Sequence, residues 1–531
     1  MSVGMRLPAG APAAWLAVVV IALLALAVAG RGMSDIPLES HEIYVAQTAE
    51  NMLESGDWLV PRLNGEYRLT KPPLSYWLVA GAATLAGQDH VGAGIARAPS
   101  VFAVMGVALL ALWIGTRLFD RRTGLLAGLL CVASLAAFKY GHNARPDMLY
   151  AFWTTAVLAA WVGSRQASAA LQARWAWALW LLVGLATLTK GPQAPLILLL
   201  GLGLHAVLSD ERAVDLWRRL RPVRGLLIVL VLVVPWYLLL RQAIGGQTLG
   251  DSQLSGALLT IDPLRLFTPF YFLRAPMLWL PWALLLPAAA LIAWRDRRGA
   301  AGLLAFTIVF AMLAFALGPQ YREIYMLPWL APAMLLLAAA ITRVAWARVC
   351  VGLVIAVVGV ALVWLVYEAG PSALLVAVAG LLLVGGAGWA LRRRRTPAAA
   401  ALVAAAFAVG LFQGGAVPSL WSSARYEELT FVQALSPRVD PGMPVAVWDI
   451  DAAHYSYYLD RPVKGAEAID AICAWIGRQN AAVLLIYPRE RRRELAEWLA
   501  FVPLLADNHS EFAATRLPPG TACRAPQNAG A

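Results

Sequence analysis

Lys71, Lys139 and Lys190 each stand at the edge of an apolar run, on what the loop charges below define as one side of the chain. Arg62, Arg68, Arg97, Arg145, Arg241, Arg265, Arg274 and Arg322 fall on the same side, interleaved with Glu39, Glu42, Glu50, Asp57, Glu66, Asp147, Asp262 and Glu323. Cations beside a membrane surface suit a phosphate, which Arg grips as a bidentate fork and Lys as a point charge. Carboxylates within reach of those cations suit deprotonation of a hydroxyl. The pattern suits a lipid phosphate held beside a base that activates a hydroxyl.

The segment 31–92 is the richest in such residues. It reads Glu39-Ser40-His41-Glu42-Ile43-Tyr44, continues to Met52, passes Ser55-Gly56-Asp57-Trp58, and reaches Lys71-Pro72-Pro73-Leu74-Ser75-Tyr76-Trp77. Val45, Thr48, Ala49 and Met52 recur at amphipathic spacing, predicting a helix lying in the membrane interface. The two prolines force an extended entry into the next segment and present Lys71 from a rigid turn.

Composition defines what must position these groups. The 531 residues are 60% hydrophobic and only 14% charged, against about 25% charged in soluble domains, which excludes a water-soluble enzyme. Runs long enough for a bilayer core of about 30 Å are expected at 13–30, 93–116, 124–140, 147–163, 175–189, 191–208, 225–241, 275–294, 301–318, 325–344, 350–368, 372–391 and 398–416. The first is read as a retained span, because its apolar run exceeds the usual core of a cleaved signal. The reading is therefore a mainly α, polytopic membrane protein of about 13 transmembrane helices.

The net charge of +12 belongs to the loops and indicates no nucleic acid. Arg6, Arg117, Arg121, Arg122, Arg165, Arg174, Arg212, Arg218, Arg219, Arg221, Arg224, Arg295, Arg297, Arg298, Arg343, Arg348 and the run Arg392 to Arg395 alternate to one side. Only Asp120, Asp210, Glu211, Asp215 and Asp296 oppose them. Basic loops stay cytoplasmic, so the lysines above face outward and the tail ends outside. The domain boundary is expected near 420, with 1–420, including the loop 31–92, as the membrane part. Residues 421–531 are expected to form a small extracytoplasmic α/β domain, from runs such as 444–448 and 482–487, each followed by a helical stretch. Cys473 and Cys523 are the two cysteines able to pair there; Cys131 and Cys350 lie in apolar runs. Asp449, Asp451 and His454 have the look of a metal trio but read first as a strand-to-helix turn.

Several of these pieces together resemble the polyprenyl-phosphate-dependent membrane glycosyltransferases with the GT-C fold, nearest the lipid A aminoarabinose transferase and protein O-mannosyltransferase family. The resemblance rests on Ser55-Gly56-Asp57-Trp58, Lys71 to Trp77, Arg145-Pro146-Asp147-Met148, Thr189-Lys190-Gly191-Pro192, Leu280-Pro281-Trp282 with Pro287, and Tyr321-Arg322-Glu323-Ile324-Tyr325-Met326-Leu327-Pro328. It covers residues 10 to about 420; the tail matches only in position and size.

The resemblance implies transfer of a sugar, with inversion, from a polyprenyl-phosphate-linked donor to a lipid, glycan or protein acceptor at the outer face of a bacterial inner membrane. It implies a catalytic carboxylate in the first loop, but where the family carries Asp-Glu this chain has His41-Glu42. Glu42, Glu39 and His41 therefore stand as alternative bases, with Asp147 as a further candidate for positioning the acceptor or binding a cation. Lys71, Arg68, Tyr76, Lys190, Tyr321, Arg322 and Tyr325 are the expected substrate-binding residues. Plainer readings stand beside these: Lys190-Gly191-Pro192 as a turn, and Tyr321, Arg322 and Tyr325 as interfacial anchors. No cofactor is specified, metal ligands are unassigned, and a divalent cation is left open. The rivals are a lipid-linked glycan flippase, which requires polar helix interiors, and an enzyme like the O-antigen ligases.

Overall fold

The structure, a computed structural model, describes residues 11–245, 268–318, 320–421, 423–505 and 511–523. Arg6, Asp262 and Arg265 lie outside the described residues. Backbone contacts divide the chain into two compact units, one of Met1–Met33, Leu69–Gly87 and Gly94–Val417, the other of Ser34–Arg68, Gln88–Ala93 and Pro418–Ala531. This differs from the expected division, which kept the whole loop 31–92 with the membrane part. Most of the loop counts with the tail because its hydrogen-bond partners are there.

The first unit is helical because its apolar runs have no other way to satisfy their backbone groups in hydrocarbon. Its helices begin with α1 (Ala11–Gly30) and, after α2 (Ser40–Ser55) of the other unit, continue as α3 (Leu74–Leu85), α4 (Ala93–Leu118), α5 (Arg121–Val132) and α6 (Leu135–Gly141). Then come α7 (Asp147–Gln166), α8 (Ala169–Thr189), α9 (Gln193–Leu208), α10 (Ala213–Leu220) and α11 (Pro222–Ala243). The remainder runs through Phe270–Leu278, Leu286–Arg295, Ala300–Ala316, Leu330–Arg343, Ala347–Ala369, Leu374–Arg392 and Thr396–Gly414.

Among the described residues, seven helices are long and apolar enough to cross a membrane, or nine if each of two bent pairs is one span. That is fewer than the thirteen spans expected. The pairs bend by 49° between α5 and α6 and by 117° between Phe270–Leu278 and Trp282–Arg295. The first bend has a local cause: the Ser134 hydroxyl accepts the Ala137 N–H at 3.2 Å and caps a new helix inside the apolar run. Elsewhere small residues allow close approach. A Cβ on Gly115 of α4 would lie 2.6 Å from the Cα of Gly124 on α5.

The basic loops meet at one end of this unit. Arg165 pairs with Glu211 at 3.3 Å, Arg298 with Asp210 at 2.8 Å and Arg343 with Asp120 at 3.9 Å. Asp147 begins α7 and Arg165 lies in its last turn, so the two residues stand about 27 Å apart along that helix.

In the second unit a five-stranded sheet has the order β4-β3-β5-β7-β6. It contains β3 (Val445–Trp448), β4 (Val463–Ala466), β5 (Val483–Pro488), β6 (Pro503–Leu505) and β7 (Phe512–Leu517), while β1 (Arg62–Leu63) and β2 (Glu66–Tyr67) form a small hairpin. β3 pairs in parallel with β4 and β5, and β7 runs antiparallel to β5 and β6. The crossover helices Ala452–Leu459 and Ile469–Ile476 cover it, as parallel strands require. The expected helix after residue 489 is a 3₁₀ turn followed by Arg492–Trp498. Cys473 and Cys523 form a disulfide with Cα atoms 5.7 Å apart.

The face of α2 expected to meet lipid instead packs inside this second unit. Ile43, Val45, Ala46, Thr48, Ala49 and Met52 are buried, and Gln47 Nε2 donates to Ser456 Oγ at 2.8 Å. Amphipathic spacing reports that one face is covered and leaves the covering material open.

Candidate functional site

In the first unit the candidate groups gather where α7 begins. Asp147 is only 3% exposed; its carboxylate accepts from the Lys190 ammonium and lies 3.3 Å from Arg145 Nε. The Asn143 side chain accepts the Arg145 N–H at 2.9 Å, which sets the turn into α7. One turn along, the Tyr150 hydroxyl donates to Gly191 O and accepts the Ala194 N–H, both at 2.8 Å. That pair of bonds pins the Lys190-Gly191-Pro192 turn to α7. Gly191 has φ +122°, a backbone conformation that favours glycine.

Further cations join the same end. The Lys190 ammonium sits 5.3 Å from the Tyr325 ring centroid, a cation–π distance. Lys139 Nζ pairs with Glu323 Oε1 at 3.1 Å. Lys71 adds a weaker attraction for Asp147 at longer range. Arg322 is exposed and makes no ion pair among the described residues. Tyr321 donates to Thr268 Oγ1, and Tyr325 to Gln320 Oε1, each at 3.3 Å. Tyr76 is buried in α3. Lys139, Arg145 and Lys190, with the exposed Arg322 beside Glu323 in sequence, outnumber the carboxylates Asp147 and Glu323, leaving positive charge for an anion.

The second unit holds the other predicted residues. Glu39 caps α2 and its side chain accepts the N3 backbone N–H, while Glu42 Oε2 accepts the Glu39 N–H at 3.2 Å. This is a capping box, an arrangement that satisfies two helix N–H groups reciprocally. Glu42 is fully buried, whereas His41 is exposed with its ring 5.4 Å from that of Tyr44. Arg68, expected beside a phosphate, lies with its guanidinium 4.2 Å over the Tyr44 ring.

The Tyr44 hydroxyl donates to Asp451; burial first, and then that carboxylate, push its pKa well above the usual tyrosine range. Tyr44, Asn64, Glu66, Arg68, Asp451, Lys464 and Trp475 line a cavity of about 420 Å³.

Asp451 also caps the following helix by accepting the Ala453 N–H at 3.0 Å, and Asp449 pairs with Arg491 at 2.8 Å. His454 is buried with Nε2 3.0 Å from Glu428, so it leaves the solvated turn expected of it. Among the described residues no group of three His, Cys, Asp or Glu is placed to hold a metal. Sequence reasoning missed Tyr150 and the partnership of Tyr44 with Asp451. Tyr150 stands one turn after Asp147, a spacing that signals a shared face.

Residues 70–239 match the family described as dolichyl-phosphate-mannose-protein mannosyltransferase. Among curated proteins, an undecaprenyl phosphate-alpha-4-amino-4-deoxy-L-arabinose arabinosyl transferase of Pectobacterium carotovorum is 28% identical over 318 residues, covering 57% of this chain and 55% of its own length. One from Pseudomonas aeruginosa is 30% identical over 339 residues, covering 58% and 57%. The chain spans a little over half the length of these relatives. The crystal structure of ArnT from Cupriavidus metallidurans bound to undecaprenyl phosphate aligns with a TM-score of 0.77 at 20% identity, covering 95% of this chain and 98% of that one. The chain has the GT-C fold. The apo form of that ArnT aligns with a TM-score of 0.78 at 20% identity. The family match to this GT-C chain includes Lys71, Lys139, Arg145, Asp147 and Lys190.

Proposed function

We propose that this chain is a membrane glycosyltransferase that moves a sugar from a polyprenyl-phosphate carrier to a lipid acceptor, with inversion at the anomeric carbon. The acceptor hydroxyl attacks that carbon as its bond to the phosphate oxygen breaks, and the polyprenyl phosphate departs as an anion. The observation that carries this reading is the excess of cations around Asp147 and Glu323 at one end of an apolar helical unit. Preorganised cations offset charge as it develops on a leaving group.

Lys71 and Lys190 are proposed to receive the phosphate, with Arg322 and Tyr325 beside them. The proton goes to a carboxylate, Glu42 before Glu39, with His41 as the third candidate; Asp147 holds Lys190 in place. The relatives named as arabinosyl transferases and the ArnT structure holding undecaprenyl phosphate support a lipid-linked donor.

Thirteen crossings of the inner membrane and an outer C-terminal unit complete the proposal. The clustering of basic loops at the opposite end of α7 supports that orientation. The Cys473–Cys523 disulfide supports an oxidising compartment for the tail.

The test is incubation of purified protein with labelled undecaprenyl-phosphate sugars and lipid A, comparing wild type with Lys71→Ala. Loss of transfer by a factor of about 10²–10³ is expected for removing one such electrostatic contact. Absence of donor turnover by the wild-type protein under every condition overturns the reading.

A further inference from the structure

The elbow between α10 and α11 carries charge and apolar surface that the proposed transfer does not use. α10, with sequence AVDLWRRL, buries none of its residues. Val214 is 57% exposed, Trp217 60% and Val223 62%. Trp217, Arg218, Arg221, Val223 and Arg224 line an open cavity of about 430 Å³.

The carboxylates of this stretch are already engaged. Asp210 pairs with Arg298, Glu211 with Arg219 and Arg165, and Asp215 with Arg212. Arg218, Arg221 and Arg224 make no ion pair among the described residues. Three guanidinium groups therefore line one cavity beside an exposed tryptophan, and no carboxylate among the described residues pairs with them.

Charge alone has a simpler explanation, since basic loops are retained on the cytoplasmic side. Such an anchor needs no cavity and no exposed apolar rim. In α10 Arg218 follows Val214 by one turn on the exposed side that also carries Trp217, and a short helix that mixes Arg with Trp and Val in this way lies at the boundary of head groups and acyl chains. There the abundant anion is a lipid phosphate, which guanidinium groups hold through paired N–H bonds.

We propose that the α10–α11 elbow is a binding site for an anionic phospholipid of the adjacent leaflet, with its phosphate held by Arg218, Arg221 and Arg224 and its acyl chains against Trp217 and Val223. The site lies at the basic end of the first unit, away from the end where α7 begins, and stands whether or not the chain transfers sugars.

The full-length protein is reconstituted in nanodiscs of phosphatidylcholine with graded phosphatidylglycerol, and bound lipid is counted by native mass spectrometry. An Arg218→Gln/Arg221→Gln/Arg224→Gln variant is compared with an Arg393→Gln/Arg394→Gln/Arg395→Gln variant, which loses equal charge from another loop. The first is expected to lose about a hundredfold in preference for phosphatidylglycerol, three basic contacts each contributing roughly fivefold, with little change in the second. Equal losses in both overturn the proposal. A photoactivatable phosphatidylglycerol on the wild-type chain supplies a readout that needs no variant to fold. Adducts at residues 214–224 are expected, and saturable labelling confined to other segments overturns the site.

Discussion

Asp147 and Lys190, separated by 43 residues in sequence, form an ion pair in which the carboxylate is almost wholly buried and the lysine side chain mostly so. Arg145 approaches the same carboxylate and Tyr325 offers its ring to the same ammonium. Neither charge is left without a partner when the other moves, so the pair is a fixed part of the turn that carries Lys190.

Removing one member of a buried pair strands the other, at about 3–5 kcal/mol. Lys190→Gln is expected to approach the lower end of that range, because Arg145 stays beside Asp147, and Asp147→Asn is the other single variant. The double variant Asp147→Asn/Lys190→Gln is expected to recover much of the loss while transfer stays low. Thermal unfolding and transfer assays on the two singles and the double give the coupling; strictly additive losses contradict it.

Glu42 has a structural duty that a glutamine can perform. In Glu42→Gln the side-chain oxygen still accepts the Glu39 N–H, so unfolding is expected to shift little. Loss of a general base lowers transfer by about 10²–10⁴. Glu42→Ala adds a capping loss of about 1 kcal/mol. Unchanged transfer by Glu42→Gln moves the base to Glu39 or His41.

The Cys473–Cys523 bridge closes a separation of 50 residues. Chain-entropy reasoning assigns such a loop about 4 kcal/mol. Cys473→Ser/Cys523→Ser is expected to lower the unfolding temperature of the second unit, read by hydrogen exchange at β3 and β5, with exchange at α4 and α5 unaffected.

Burial first, then the charges of Glu50 and Asp460, raise the Glu54 carboxyl above its ordinary value. The folded chain holds that proton more tightly than the unfolded chain, so the group lowers stability as pH rises through both values. Glu54→Gln is expected to raise the unfolding temperature at neutral pH by about 1 °C, a small effect for a solvated site. The gain is expected to vanish below about pH 4, where both forms are neutral. A gain that grows on acidification contradicts the sign.

The helices of the first unit were legible because hydrocarbon leaves few choices, and the expected spans fall on helices such as Ala347–Ala369 and Leu374–Arg392. The break at Ser134 was hidden, because a hydroxyl that caps a new helix occupies one position in an otherwise unbroken apolar run. The strands Val445–Trp448 and Val483–Pro488 lie close to the expected runs, since β-branched and aromatic residues are concentrated there.

Pairings between distant segments were not legible. Glu39 and Glu42 stand three residues apart, a spacing that serves a reactive pair and a cap equally well. The bond from Tyr44 to Asp451 spans 407 residues, beyond anything local periodicity encodes.

That last separation bears on how the protein is made. At about 5–20 residues per second, a ribosome that has released Tyr44 needs roughly 20–80 s more before Asp451 exists. Through that interval α2 has its cap and the nearby β1 but lacks the helix Ala452–Leu459 that packs on it in the finished fold. Its nascent surface must be shielded by bilayer or chaperone, and the chain acquires its finished first loop only at the close of translation.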